Sequence, residues 1–159
     1  MTQFRNAAPR GERGQVAGIE ALPFGLLIFV AGTLLLVNIW GVVDARFAAD
    51  AAAREAARYV VESAALDRHP SDVRDGARDV AVRTLQDHGW RRESTVRVRP
   101  DAAVLERCER IQVTVSTDVP AIRLPFFGGF GDGFEIVATH SELVDPTRSG
   151  LAGRADCIQ

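Results

Sequence analysis

Residues 21–43 carry no charge and are mostly large and apolar, with no polar face at either helical or strand spacing. As a helix, about 23 residues rise about 34 Å, enough to cross a hydrocarbon core of about 30 Å. A transmembrane helix over 17–43 is expected. The helical pattern then continues through residues 44–65, an alanine-rich stretch without Gly or Pro, and alanine is the strongest helix former. Asp50 and Arg54, and Arg58 and Glu62, stand four apart with opposite signs, each pair adding a few tenths of a kcal/mol. The two stretches together predict one helix from about 18 to 66, its first half in lipid and its second in water. Ala48, Ala52, Ala56, Tyr59 and Ser63 trace a stripe of mostly small side chains. Such a stripe suits either close approach of another helix or packing of this one on its own domain.

Pro70, Ser71 and Asp72 interrupt the pattern. Ser71 is an N-cap candidate for a second helix bearing Val73, Ala77, Val80, Ala81 and Leu85 at helical spacing, with Gly89 to end it. Alternating, strand-like runs follow at 94–99, 111–117 and 134–143, punctuated by Pro100, Pro120 and the glycines of 128–133. The pattern predicts an α+β protein: a long N-terminal helix, a second short helix and a small antiparallel sheet of about three strands. Its parts are a basic leader at 1–16, the span at 17–43, an extracytoplasmic domain at 44–145 and a loose tail at 146–159.

Charge changes the picture in two ways. The 19 basic and 21 acidic residues nearly cancel, which excludes a general polyanion binder, and no nucleic-acid partner is expected. All the basic residues are arginine, so lysine-dependent chemistry such as a Walker-type phosphate loop or a Schiff base is excluded. Arg5, Arg10 and Arg13 precede the span against a single Glu12. By the positive-inside rule this places the N-terminus in the cytoplasm and the long C-terminal part outside. A cleaved secretory signal is the competing reading, but signal peptides have apolar regions of only about 7–15 residues.

Catalytic signatures are sparse. His69, His88 and His140 each stand alone, without another His or a Cys within four residues, so no local metal motif exists. The glycines of 128–133 neither lead from a strand into a helix nor end in Lys-Ser/Thr. They are read as a flexible connection between strands. No enzymatic activity, metal or cofactor is expected. Four of the eight phenylalanines, Phe126, Phe127, Phe130 and Phe134, surround this connection. They suit either an exposed contact surface or a cover folded back over the sheet. The two cysteines, Cys108 and Cys157, are too few for a disulfide framework and too far apart for a zinc knuckle. They suit one bridge in an oxidising compartment.

The most specific signal lies where the span begins. Arg10-Gly11-Glu12-Arg13-Gly14-Gln15-Val16-Ala17-Gly18-Ile19-Glu20 leads directly into the apolar run, and a carboxylate there is costly in lipid unless it reaches the headgroups or finds a partner. This arrangement resembles the processing site of type IV pilin-like precursors. With Pro23 and the continuation Ala52-Ala53-Arg54-Glu55-Ala56-Ala57-Arg58, it is most similar to the TadE-like minor pseudopilins of tight-adherence pili. The resemblance implies cleavage by a prepilin peptidase between Gly14 and Gln15, with Glu20 retained as a carboxylate used in assembly. Cleavage there leaves Glu20 as the sixth mature residue, where filament-forming relatives carry it as the fifth. It also implies a non-catalytic minor subunit whose partners are the lipid bilayer, other pilin-like subunits and an inner-membrane assembly platform. The alternative is a membrane-tethered extracytoplasmic binding module unrelated to any filament. A secreted enzyme released by signal peptidase is the third class.

Overall fold

The computed structural model describes residues 16–63, 69–100, 105–124, 128–131 and 133–157, without the side chains of 16–20, 123, 128 and 130. The protein is α+β, with a long N-terminal helix, a second helix and a three-stranded antiparallel sheet. Helix α1 runs unbroken from Val16 to Ser63. Pro23 lies within it, near its start, where the ring removes one backbone donor from the ladder. Two compact units divide the chain, one ending at Val37 and the other running from Asn38 to the end.

In the first unit, α1 presents large apolar side chains all round: Leu22, Phe24 and Phe29 are each about 70% exposed. The stretch is long and apolar enough to cross a membrane. Thr33, a hydroxyl within it, donates to the Phe29 carbonyl at 2.9 Å. This bond leaves the hydroxyl satisfied without water.

The second unit has a core of its own. Helix α2, Pro70–Asp87, starts after His69, whose side chain makes no capping hydrogen bond. The expected cap, Ser71, instead sits inside the first turn, 2.8 Å from the His69 ring. Proline explains the shift, because its fixed φ and missing N–H suit the first helical position. The other end follows the sequence pattern. Gly89 takes φ +83°, and the Gly89 and Trp90 amides donate to the Gln86 and Leu85 carbonyls. That is a Schellman closure, with the buried pair Leu85 and Trp90 as its apolar contact.

Strands β1 (Ser94–Arg99), β2 (Arg110–Val119) and β5 (Phe134–Leu143) form the sheet, with β2 in the centre and β1 and β5 on its edges. The alternation of β2 sets its faces: Ile111, Val113, Val115, Thr117 and Val119 are buried, while Gln112 and Asp118 are exposed. Val115 pairs with Val96 on one side and Ala138 on the other, and all three are buried. Strands β3 (Ile122–Leu124) and β4 (Gly128–Phe130) pair as a separate two-stranded ribbon between β2 and β5. The glycine-rich segment, expected as a plain connection, thus forms half of a ribbon.

The alanine stripe of α1 packs on its own domain. Ala45, Ala48, Ala49, Ala52, Ala53, Ala56 and Ala57 are fully buried in one core with Val73, Ala77, Ala81 and the inner face of the sheet. Short side chains bring the helix close to its neighbours, and α2 answers with Gly76, where a Cβ would lie 2.5 Å from the Tyr59 ring carbon Cζ. Of the two expected ion pairs, Arg58–Glu62 forms at 2.8 Å, whereas Asp50 meets Arg46 at 3.5 Å rather than Arg54.

Candidate functional site

Residues that could carry function, or that fix the elements around them, fall in three places. The first is the start of α1. Gly14 and Gln15, the expected processing pair, lie outside the described residues. Glu20 lies in α1, one turn after its first residue, and its side chain is likewise outside the described residues. Downstream, a shallow apolar groove runs along the helix beside Pro23, lined by Leu26, Leu27, Val30, Ala31 and Leu34. Gly25 and Gly32 open onto empty space. With Gly18 they recur every seven residues, the spacing of a helix face that can approach another helix closely.

The second place is the junction of α1 with the sheet. Three long-range polar contacts fix it. Trp90 Nε1 donates to Asp44 Oδ2 at 3.3 Å. The Arg46 guanidinium donates to the Val137 carbonyl on edge strand β5. Arg148 reaches the last turn of α1, its two terminal nitrogens donating to the Val61 and Glu62 carbonyls at 2.8 Å each. A helix leaves its last carbonyls without intrahelical partners, and an arginine there satisfies them and complements the helix dipole. None of these partners was expected from the sequence: their separations of 46 to 91 residues exceed the reach of local pattern.

The third place is the end of the domain that holds the cysteines. Cys108 and Cys157 are joined in a disulfide, as expected, across a separation of 49 residues. The segment beyond β5, of which residues 146–159 were expected as a loose tail, is pinned at several points. The Arg107 amide donates to Ala152 O at 2.8 Å, and Arg107 Nε to Arg148 O at 3.0 Å. Val144 is fully buried. Asp145 Oδ1 accepts from both the amide and the hydroxyl of Thr147 at 2.7 Å. Led by the hydroxyl, these bonds hold the Asp145 carboxyl below the usual carboxylate range. Arg154 does the same for Asp156, in a paired contact at 2.9 and 3.1 Å.

The chain matches no protein-family model, no curated protein and no solved structure.

The histidines stay apart. His69 and His88 are exposed and bonded locally, to Ser71 and to the Thr84 carbonyl. His140 sits on β5 opposite Val113. Among the described residues, no three of His, Cys, Asp and Glu converge as metal ligands. Of the phenylalanine cluster, Phe126 and Phe127 lie outside the described residues, and only the backbone of Phe130 is described. Phe134, at the start of β5, is 58% exposed.

Proposed function

We propose that this protein is a single-span, non-catalytic minor subunit of a pilin-like, TadE-like assembly at the cell envelope. Its N-terminus would lie in the cytoplasm and its α+β domain outside. Arginines ahead of the span support that orientation. The Cys108–Cys157 disulfide supports an oxidising compartment for the domain. The observation that carries the reading is Arg13-Gly14 followed by Glu20, set at the start of an apolar helix that continues directly into the domain. In this reading a prepilin peptidase cuts between Gly14 and Gln15. Glu20 then meets a positive charge on a neighbouring pilin-like helix, where low dielectric strengthens the contact. The glycines at 18, 25 and 32 supply the close-approach face, and an inner-membrane platform receives the assembled helices.

A second reading, a tethered extracytoplasmic binding module, has one observation in its favour. The outer face of the sheet holds a shallow depression lined by Thr95, Arg97, Thr114, Ser116, Glu135 and Val137.

Glu20→Ala separates the two. A Glu near the cytoplasmic end of a span reaches the headgroups at modest cost, so the variant inserts at least as well as the native chain. Membrane abundance is expected to stay level while crosslinking to pilin-like partners in cells falls several-fold. Undiminished crosslinking would reduce Glu20 to an interface residue and favour the binding module.

A further inference from the structure

The second unit has an apolar end, and its position along α1 follows from contacts within that unit. Arg46 meets the Val137 carbonyl, and Trp90, just ahead of β1, meets Asp44. At the far end Arg148, shortly after β5, meets Val61 and Glu62. Strand β5 therefore runs alongside α1 in the same direction.

Phe134 precedes Val137 by three residues, about 10 Å, or about seven residues of helix. That sets it level with Ile39, Trp40 and Val43, before Asp44, the first charge on α1 after the apolar run. Phe134 pairs with the buried Val119 and shares the register of Ala138, so it belongs to the sheet face that α1 covers. Its ring is nevertheless 58% exposed. Val119 ends at the same level, and the chain passes through Pro120 and Ala121 into the β3–β4 ribbon, where Ile122 is 52% exposed. On α1 itself Trp40 is more than 60% exposed. Apolar side chains from three elements therefore share the level at which charge first appears on the helix.

We infer that this end of the domain rests in the bilayer interface, with Phe134 and Ile122 seated at headgroup depth beside Trp40. The occupant is lipid because the patch stands level with Ile39, Trp40 and Val43, where the uncharged run of α1 ends, and aromatic rings are favoured at that depth. The inference rests on the membrane-span part of the proposed function and is independent of any filament.

Depth-dependent quenching tests it on the full-length, disulfide-bonded chain in phosphatidylcholine vesicles. An environment-sensitive fluorophore is placed in turn on Val30→Cys, Phe134→Cys, Ile122→Cys and Ser141→Cys, all exposed positions. The vesicles carry nitroxide lipids labelled either near the headgroup or deep in the chain. Ser141 is the control, on the same strand as Phe134 and about 23 Å further along it. Shallow-label quenching at positions 122 and 134 is expected to exceed that at 141 at least threefold, and Val30 is expected to respond most to the deep label. Quenching at 122 and 134 no greater than at 141, with Val30 still quenched, overturns the docked surface and leaves the span intact. No quenching at Val30 overturns the span and the inference together.

Discussion

One helix, α1, is built in two opposite ways. Before Val37 its large residues face outward: Leu22, Phe24, Leu26, Leu27 and Phe29 are all exposed. Beyond Asp44 its smallest residues face inward, and Ala48, Ala52 and Ala56 are fully buried against the domain. The backbone geometry is common to both, so the difference lies in what each surface must meet. Large apolar groups gain from being covered without a defined neighbour, at roughly 25 cal/mol per Å² removed from water, and lipid supplies such cover. Alanine contributes little area but lets a packed layer come near, and its worth depends on the fit of that layer. The first half should therefore tolerate changes of side-chain size, and the second should not.

Breaking the disulfide gives the largest expected effect. Cys108→Ser, or reduction, opens a loop of about 50 residues and should destabilise the domain by about 2–4 kcal/mol in the chain-entropy model. Helical content from the first unit should be unchanged. Unfolding of the full chain in micelles, followed by near- and far-ultraviolet circular dichroism, separates the two. A midpoint that reduction does not move would show that the hydrogen bonds of Arg107 and Arg148 hold this end by themselves.

Side-chain size is the direct test of the contrast. Ala52→Leu inserts three carbons into a site with no free surface, and overpacking of this kind costs about 1–3 kcal/mol. Leu27→Ala, an equal change of opposite sign in the first unit, should leave domain stability within about 0.5 kcal/mol. Equal costs for the two would erase the distinction.

Much of this arrangement was legible in sequence because it rests on short periods. Alternation located β1 and β5 to the residue and β2 nearly so, and Gly89 marked the end of α2. The α1 stripe was visible but not its partner, since a row of alanines suits a neighbouring helix and a home domain equally. Ser71 misled because propensity for capping competes with proline at N1, and proline won. The ribbon of β3 and β4 was hidden by its brevity and by Gly128 and Gly129, which carry no side-chain alternation. Arg46, Trp90 and Arg148 were illegible for another reason: their partners are backbone carbonyls or a carboxylate far along the chain. The start of α1 shows the converse. Arg13, Gly14 and Glu20 give the clearest signal in the sequence, and of the three only the backbone of Glu20 is described.

Gly76→Ala refines the contrast at the contact between the two helices. A methyl group at this position meets the Tyr59 ring, and the overpacking cost outweighs the gain of about 1 kcal/mol in helix propensity. A net loss of about 1 kcal/mol is expected. In a Tyr59→Leu background the obstruction is gone, so the same substitution should stabilise. Thermal melts of the four variants in a double-mutant cycle test this change of sign. Additive effects would mean that the helix shifts to accommodate the methyl and that the fit there is loose.

The smallest effect concerns acid, which the charge-free stretch of 21–43 has no group to sense. Asp145, in the turn after β5, accepts two hydrogen bonds from Thr147 that hold its pKa below that of a free aspartate. A carboxyl whose folded pKa is depressed contributes stability above its unfolded pKa of about 3.9 and loses it as pH falls through the folded value. The turn should therefore loosen only below about pH 4, with no change between pH 5 and 8. Thr147→Ala removes the hydroxyl, the larger cause of the shift, and keeps the amide. Its Asp145 carboxyl should titrate closer to the free value, as read from the carboxyl carbon resonance across an acid titration. Because the carboxylate is exposed to solvent, the accompanying loss of stability at neutral pH should be slight. If Asp145 titrates like a free aspartate in the native chain, the turn is held by Val144 and Arg148 alone. The domain would then be as indifferent to acid at this position as the apolar stretch is throughout.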